Sequence, residues 1–155
     1  MEIMLMSYNH CVGESNVHLQ FTPKYRKPVF RDKDVLIECE QEFKKIAAEL
    51  KVQLAGIGIG PDHAHIFVSS WKNYSIAKLA QRFKGASSRH IRQKYSVRLA
   101  VQGLYGDSLW SDGYFHRTVG AVTTEAMKKY VTESQQKHWK AEEPKPKQAT
   151  LLQFH

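Results

Sequence analysis

Two histidines, His63 and His65, stand either side of one alanine in the segment GPDHAHIFVSS, residues 60–70. The apolar, β-branched residues that follow them favour a buried strand. Because residues two apart on a strand point to the same face, both imidazoles could approach one point. Imidazole is a common ligand for zinc, iron, nickel and manganese, so the pair is half of a metal site. One core histidine and one surface histidine would explain the same spacing.

A candidate nucleophile, Tyr130, lies in the polar and basic segment MKKYVTESQ, directly after Lys128 and Lys129. A tyrosine in an amphipathic helix is commonly a core or boundary residue. The phenol of an unperturbed tyrosine has a pKa of about 10, so attack on phosphorus would need help from cations. The nucleophile hypothesis therefore depends on a metal beside the ring.

Positive charge dominates the composition, since 23 Lys and Arg against 15 Asp and Glu give a formal net charge of +8. This balance favours a polyanionic partner, nucleic acid first and an anionic membrane surface second. Basic residues in KLAQRFKGASSRHIR fall on one helical stripe with Gly85, where phosphates could approach a bare backbone. In the segment KYR, a base could stack on the tyrosine while the arginine holds a phosphate. Solubility alone would explain both basic surfaces. The predicted nucleic-acid contacts are Lys24, Tyr25, Arg26, Lys78, Arg82, Lys84, Ser87, Ser88, Arg89 and Arg92.

The elements that must position these residues follow from hydrophobic periodicity and turn signals. The predicted order is strand, helix, strand, strand, helix, strand, helix. Asp32 or Asp34 would cap the first helix, and the second would start near Ser75 with an interruption at Gly85. The predicted segments are 15–23, 35–50, 52–60, 64–70, 75–95, 113–122 and 123–139.

This order favours an α+β fold of ferredoxin-like (RRM-like) type. It is a βαββαβ sandwich with helices on one face of an antiparallel sheet, followed by a C-terminal helix that carries Tyr130. We expect a single domain over residues 1–139 and a polar C-terminal tail over residues 140–155. The chain lacks a long apolar run and a signal-peptide pattern, so we expect a cytoplasmic protein. Cys11 and Cys39 lack CxxC spacing and are expected to be reduced thiols.

Five segments of the chain, in the same order, resemble the small single-tyrosine HUH transposases of the insertion-sequence 200/605 type. They are FTPKYRKPVF, GPDHAHIFVSS, FKGASSRHIRQKY, LWSDGYFHRTVG and MKKYVTESQ, and they run from about Phe21 to Gln136. HxH alone is unspecific, whereas five ordered segments make a chance resemblance improbable. The resemblance implies a DNA transposase that moves an insertion sequence by cleaving and rejoining single-stranded DNA near hairpins at its ends.

The resemblance also implies a role for each central residue. His63 and His65 would bind a divalent metal, Mg²⁺ or Mn²⁺, and Tyr130 would be the nucleophile that forms a 5′-phosphotyrosine link. The enzyme would be a homodimer with composite active sites, the histidines of one subunit meeting the tyrosine helix of the other. It would act in the cytoplasm, at the nucleoid, without a membrane partner.

One position departs from the family pattern. The third metal ligand is typically a glutamine four residues after the tyrosine, and Ser134 stands there in this chain. Gln135 is about 140° around an ideal helix from Tyr130, and Glu133 about 60°. We prefer Gln135 as the ligand, with Glu133, Ser134 or Asp62 as alternatives. Without a metal site the protein would be a degenerate copy that binds DNA but does not cut it.

Two other classes of function fit parts of the sequence. A non-catalytic RRM-like binder of single-stranded nucleic acid needs only the fold and the charge. It predicts base-stacking aromatics on the central strands, and HAHIFVS offers only Phe67. A small metal-binding structural protein would use the two histidines but has too few partner ligands.

Overall fold

A four-stranded antiparallel sheet carries two long helices in the computed structural model. The structure describes residues 6–8, 11–13 and 16–119, together with positions 129, 133, 136 and 137. In chain order the elements are β1 (Met6–Tyr8), β2 (Cys11–Gly13), β3 (Asn16–Phe21), α1 (Lys33–Leu50), β4 (Gln53–Gly60), β5 (His63–Ser69), α2 (Ile76–Val101) and β6 (Phe115–Val119). Two 3₁₀ turns, Lys24–Arg26 and Val29–Arg31, join β3 to α1.

The strands of the sheet lie in the order β4-β5-β3-β6, and each neighbouring pair is antiparallel. Strand, helix, strand, strand, helix, strand follow one another from β3 to β6. The predicted α+β class and the antiparallel sheet with two helices are therefore confirmed. The pair of β1 and β2, which is separate from this sheet, was not predicted from the sequence.

Local side-chain chemistry sets the helix boundaries. The Asp32 carboxylate accepts hydrogen bonds from the backbone N–H groups of Asp34 and Val35, which confirms a cap at the start of α1. The Ser75 hydroxyl caps α2 in the same way. The predicted interruption at Gly85 is wrong, because a single glycine keeps its backbone hydrogen bonds and α2 runs through it. The non-helical residue inside α2 is Tyr95.

The two faces of the sheet have different contents because successive strand residues alternate in direction. Val17, Leu19 and Ile66 are fully buried on the face that packs against the helices. Phe43 of α1 and Phe83 of α2 join them in one core. The opposite face of β3 and β5 carries mainly polar and histidine side chains, which places the candidate chemistry away from the helices.

Charged hydrogen bonds link α1 to α2 at their solvent-facing edge. Glu38 of α1 accepts hydrogen bonds from Lys94 and His90 of α2. Arg98 of α2 binds both Asp32 and Asp34, so the last turns of α2 are tied to the start of α1. Hydrogen bonds from Lys94 and then His90 lower the pKa of Glu38.

The depressed pKa of Glu38 makes the stability of the fold depend on pH. An unfolded glutamate binds its proton near pH 4.5, before the folded carboxylate does. The contribution of Glu38 should therefore be complete above that pH and be lost as the pH falls through the lower folded value. Urea unfolding from pH 7 to pH 3 should show Glu38→Gln less stable than wild type at neutral pH, with the gap closing in acid. A gap that stays constant over this range would contradict the prediction.

Some predictions fall outside the described residues. Lys129, Glu133, Gln136 and Lys137 are helical, and Lys129 lies 3.8 Å from Glu133. The assignments of Tyr130, Gln135 and Ser134 and of the 140–155 tail concern residues that the structure does not describe, and the single-domain boundary stays a prediction. Cys39 is a buried free thiol whose pKa is raised by burial, as the sequence indicated. Among the described helices, none is both long and apolar enough to cross a membrane.

Candidate functional site

His63 and His65 lie on the sheet face opposite the helices. Both are on β5, and their exposed fractions are only 5% and 3%. Their ring centroids are 5.5 Å apart with the ring planes perpendicular. The strand thus brings the two imidazoles together on one buried face, as the HxH spacing predicts.

A glycine on β4 makes room for the ring of His63. Gly60 pairs with His63 and Gly58 pairs with His65 across the ladder, while Ile57 and Ile59 alternate with them. A Cβ at position 60 would stand 2.3 Å from Cε1 of His63, well inside van der Waals contact. The alternation GIGIG, which predicts a strand, therefore also carries a signal of the site, because its last glycine leaves space for His63.

A carboxylate orients one of the two histidines. Asp62, in the turn between β4 and β5, has Oδ1 3.0 Å from Nδ1 of His63. A proton on Nδ1, donated to this carboxylate, leaves Nε2 as the basic nitrogen of the ring. The guanidinium of Arg26 lies 3.4 Å from the other Asp62 oxygen. Arg26, predicted to hold DNA phosphate, is thereby connected to the histidine pair through one side chain.

A third histidine, His18 of β3, belongs to the same face and was missed by the sequence analysis. Its ring centroid is 5.5 Å from that of His65, and the ring stacks on Phe67 at 4.5 Å. Burial, and then the positive charge of Arg117, lower the pKa of His18. Both effects favour the neutral form of the ring. The sequence feature that could have identified His18 is its position between Val17 and Leu19, which places it on the face opposite the core.

The described residues contain only part of a metal-ligand set. His63 and His65 could supply two nitrogen ligands, and Asp62 holds one ring in a suitable orientation. Within the described ranges, no group of three or more His, Cys, Asp and Glu side chains could hold an ion. Glu133, an alternative third ligand, is exposed and lies beside Lys129. The residues present fit a divalent ion that takes its remaining protein ligand from elsewhere.

The KYR segment forms a strained, exposed turn. Tyr25 and Arg26 both have left-handed backbone conformations, with φ of 59° and 50°, which non-glycine residues rarely adopt. Tyr25 is 79% exposed. The turn is anchored to the segment before β6, since the Lys24 N–H donates to the Leu109 carbonyl at 2.9 Å. The ring is thus presented to solvent, as stacking on a base would require.

The predicted basic stripe of α2 divides into exposed and internally bonded residues. Lys78, Arg82 and Arg89 are exposed, and Arg82 lies 3.8 Å from Glu49 of α1. Lys84 and Arg92 instead donate to backbone carbonyls of the segment 104–113. Their contact with DNA stays a prediction, and these bonds give both a structural role.

Ser87 is a correction to the predicted set of DNA contacts. Its side chain is fully buried, its hydroxyl donates to the Phe83 carbonyl, and it accepts a hydrogen bond from the Trp110 indole. It therefore cannot contact a phosphate. Ser88 is partly exposed, and its hydroxyl accepts the Leu109 N–H at 2.9 Å. Serine type and helical position alone could not separate these two environments.

The structural role of the basic residues also joins the two predicted DNA-binding segments. The Ser111 N–H donates to the Thr22 carbonyl, and Pro23 and Trp110 form a β-bridge beside the KYR turn. Lys84 Nζ in turn donates to the Ser111 carbonyl at 2.6 Å. The turn, the segment before β6 and α2 therefore form one continuous surface.

Comparison with solved structures finds transposases with the same fold. A crystal structure of a protein from Deinococcus radiodurans R1, assigned as a transposase, matches with a TM-score of 0.65 and 25% identity. The match covers 84% of this chain and 97% of that one. A REP-associated tyrosine transposase bound to a REP hairpin matches in fold, with a TM-score of 0.50 and 9% identity over 83% of this chain and 68% of the other.

Sequence comparison agrees with the fold. The ISDra2 transposase TnpA of Deinococcus radiodurans is 28% identical over 120 residues, which cover 77% of this chain and 84% of that protein. A family model described as "Transposase IS200 like" matches residues 11–134. This range includes β3 to β6, both helices and the two histidines. The chain belongs to the IS200-like transposase family.

Proposed function

We propose that this protein is a DNA transposase that cleaves and rejoins single-stranded DNA through a 5′-phosphotyrosine intermediate. The observation that carries the proposal is the pair His63 and His65, whose rings share one buried face, with Asp62 bonded to one of them. The family match and the net charge of +8 support it. The relative bound to a REP hairpin supports a hairpin-bearing single strand as the substrate.

The proposed cofactor is Mg²⁺ or Mn²⁺, because mixed nitrogen and oxygen ligands beside a phosphate suit these ions. His63 and His65 would hold it, with Gln135 as the third protein ligand and Glu133 or Ser134 as alternatives. The contact of Asp62 with His63 favours an orienting role for this carboxylate over direct ligation. When bound, the ion supplies Lewis acidity and a template for the scissile phosphate.

In the proposed reaction the phenolic oxygen of Tyr130 forms a bond to phosphorus. The bond from phosphorus to the 3′-oxygen breaks, and the leaving 3′-oxygen takes up a proton to become a hydroxyl. The phosphotyrosine bond conserves the energy of the broken strand. A second 3′-hydroxyl can then attack the same phosphorus and restore a phosphodiester at a new junction, so no nucleotide cofactor is needed.

The proposed assembly is a homodimer with composite active sites, acting at the nucleoid, as the family resemblance implies. β6 lies at one edge of the sheet, and four of its five residues are exposed. No described strand pairs with its outer edge, and such an edge is a surface on which a second copy can pair. We also assign the fold to the ferredoxin-like type, with the tyrosine helix following β6. The strand order and antiparallel pairing of the sheet support that assignment.

The alternative of a non-catalytic RRM-like binder has less support. It predicts exposed aromatic rings on the central strands β3 and β5, where bases would stack. Phe67, the aromatic residue of HAHIFVS, is only 6% exposed and is stacked on His18. A purely structural metal site also has less support, because it would not account for the match to the transposase family model.

Covalent capture tests the proposed function. Single-stranded left and right ends of the element that flanks the gene, labelled at the 3′ end, are incubated with the protein and MgCl₂ or MnCl₂. A denaturing gel should show labelled DNA attached to the protein, and EDTA should abolish the band. DNA binding without an adduct in either metal would contradict the transposase proposal and favour the non-catalytic binder.

A further inference from the structure

A polar groove runs between α2 and the segment 107–112, on the surface that carries the predicted DNA contacts. Its volume is about 580 Å³. Lys84, Gly85, Arg89 and Arg92 line it from α2, and carboxylates of the segment 107–112 line the other wall. The groove lies on α2 and the adjoining segment, whereas the histidine pair lies on the opposite face of the sheet.

Two of the cations build the groove. Lys84 Nζ donates to the carbonyls of residues 111, 112 and 113, at 2.6, 2.9 and 3.0 Å. The Arg92 guanidinium donates to the carbonyls of residues 104, 105 and 108, at 3.1, 3.0 and 2.8 Å. Burial lowers the pKa of both groups. These six hydrogen bonds hold the irregular segment against α2, so the two charges serve the wall of the groove.

The third cation, Arg89, makes no such hydrogen bonds to the backbone carbonyls of the described residues. Arg89 is exposed and lies on the same side of α2, one turn after Gly85. In the part of the chain that the structure describes, no hydrogen bond or ion pair involves its guanidinium. Arg89 is therefore the cation of the groove that is available to a ligand.

Gly85 is a second feature of the groove that favours an anionic ligand. Glycine inside a helix lowers stability relative to alanine, yet Gly85 lies near the middle of α2. A Cβ built at this position has no described atom within 4 Å, so packing does not explain the glycine. A bare helix surface beside a free guanidinium allows a tetrahedral anion to approach the backbone closely.

We propose that this groove binds one backbone phosphate of a nucleic-acid strand, with Arg89 as its ligand and Gly85 as the point of close approach. Asp107 and Asp112 on the opposite wall repel further phosphates and direct the strand along α2. The inference rests on the proposed DNA substrate, but not on the tyrosine chemistry. It divides the basic stripe into Arg89, which binds the phosphate, and Lys84 and Arg92, which hold the segment 104–113 against α2.

The first test is the affinity for a fluorescein-labelled 20-nucleotide single strand, measured by anisotropy over a salt series. Loss of one phosphate contact should make the slope of log affinity against log salt concentration shallower by about 0.7 in Arg89→Ala. The advantage of wild type over this variant should therefore be about fivefold larger at 0.1 M than at 1 M salt. Lys45→Ala, at an exposed position of α1, removes the same charge and is the matched control. An Arg89→Ala curve that coincides with that of Lys45→Ala would overturn the proposal.

The second test separates binding from stability. Gly85→Ala should raise Tm by about 2–4 °C through helix propensity and still weaken binding of the same strand several-fold. Ser96→Ala, at an exposed position of α2 away from the groove, should raise Tm without changing binding. Equal binding by Gly85→Ala and Ser96→Ala would overturn the close-approach role.

A competitor identifies the source of the phosphate. A mononucleotide, dTMP, should not displace the strand at equal phosphate concentration, and displacement would make the groove a nucleotide site instead. Failure of the proposed function can be distinguished from failure of this inference. A salt slope that depends on Arg89, without covalent capture of DNA, would support phosphate binding in the groove and contradict the transposase chemistry. A wild-type protein that does not bind the strand would overturn the groove.

Discussion

Replacing Tyr130 with phenylalanine should abolish covalent attachment of the protein to single-stranded end DNA while leaving DNA binding intact. The substitution removes one phenolic oxygen, the atom proposed to bond to phosphorus, and keeps the ring. Because water is a poorly positioned replacement for an enzyme nucleophile, cleavage should fall at least about a thousandfold. Adduct formation is measured on a denaturing gel, and binding by anisotropy with the same oligonucleotide.

Tyr105→Phe is the matched control for this experiment. Tyr105 is 72% exposed and lies in the segment after α2, so loss of its hydroxyl should change neither adduct formation nor binding. An adduct that persists in Tyr130→Phe would assign the nucleophile to another residue. Loss of both adduct and binding would place Tyr130 in DNA recognition and contradict a purely chemical role.

Much of the fold could be predicted because its signals are local. A cap depends on hydrogen bonds within one turn, and Asp32, one of the two predicted caps, caps α1. The second helix starts directly after its Ser75 cap, close to where the sequence predicts it. Alternation over a few residues places His63 and His65 on one face. Neither inference needs contacts between distant parts of the chain, so the sequence pattern was sufficient for both.

The parts that could not be predicted depend on contacts between distant residues. Ser87 and Ser88 are neighbours of the same type, and only the packing of Trp110 against α2 buries one and not the other. Lys84 and Arg92 look like surface cations until the segment 104–113 folds back onto them. That segment has no periodicity of its own, so nothing in the sequence indicated where it would lie.

The histidine site shows the same division. The HxH spacing was a local signal, whereas the supporting residues come from other strands. Gly60 and His18 belong to β4 and β3, and their contacts with the pair follow from the register of the sheet. Register depends on pairing between strands that are distant in sequence. The shared face of the two histidines could thus be predicted, but not the residues of other strands that surround them.

Gly60→Ala should impair the proposed metal site more than the fold. The added Cβ would fall 2.3 Å from Cε1 and 2.8 Å from Nε2 of His63, so the ring must turn away from its position. Turning the ring breaks its contact with Asp62, whose loss alone should cost about tenfold to a hundredfold in metal affinity. Misplacement by about 1 Å should lower cleavage about a hundredfold. Mn²⁺ titration by calorimetry and the cleavage assay measure the two effects.

Two further variants make this prediction decisive. Gly113→Ala adds the same methyl group where no described atom lies within 4 Å, and it should bind Mn²⁺ and cleave as wild type does. Asp62→Asn removes the carboxylate charge from His63 without adding bulk, and it should weaken Mn²⁺ binding even if Gly60→Ala proves too unstable to measure. Gly60→Ala places a methyl group against the His63 ring, whereas Asp62→Asn adds no bulk there. Excess Mn²⁺ should therefore restore cleavage in Asp62→Asn more fully than in Gly60→Ala. Normal Mn²⁺ affinity in a folded Gly60→Ala protein would exclude His63 as a ligand in its present orientation, and with it the metal centre on this face of the sheet.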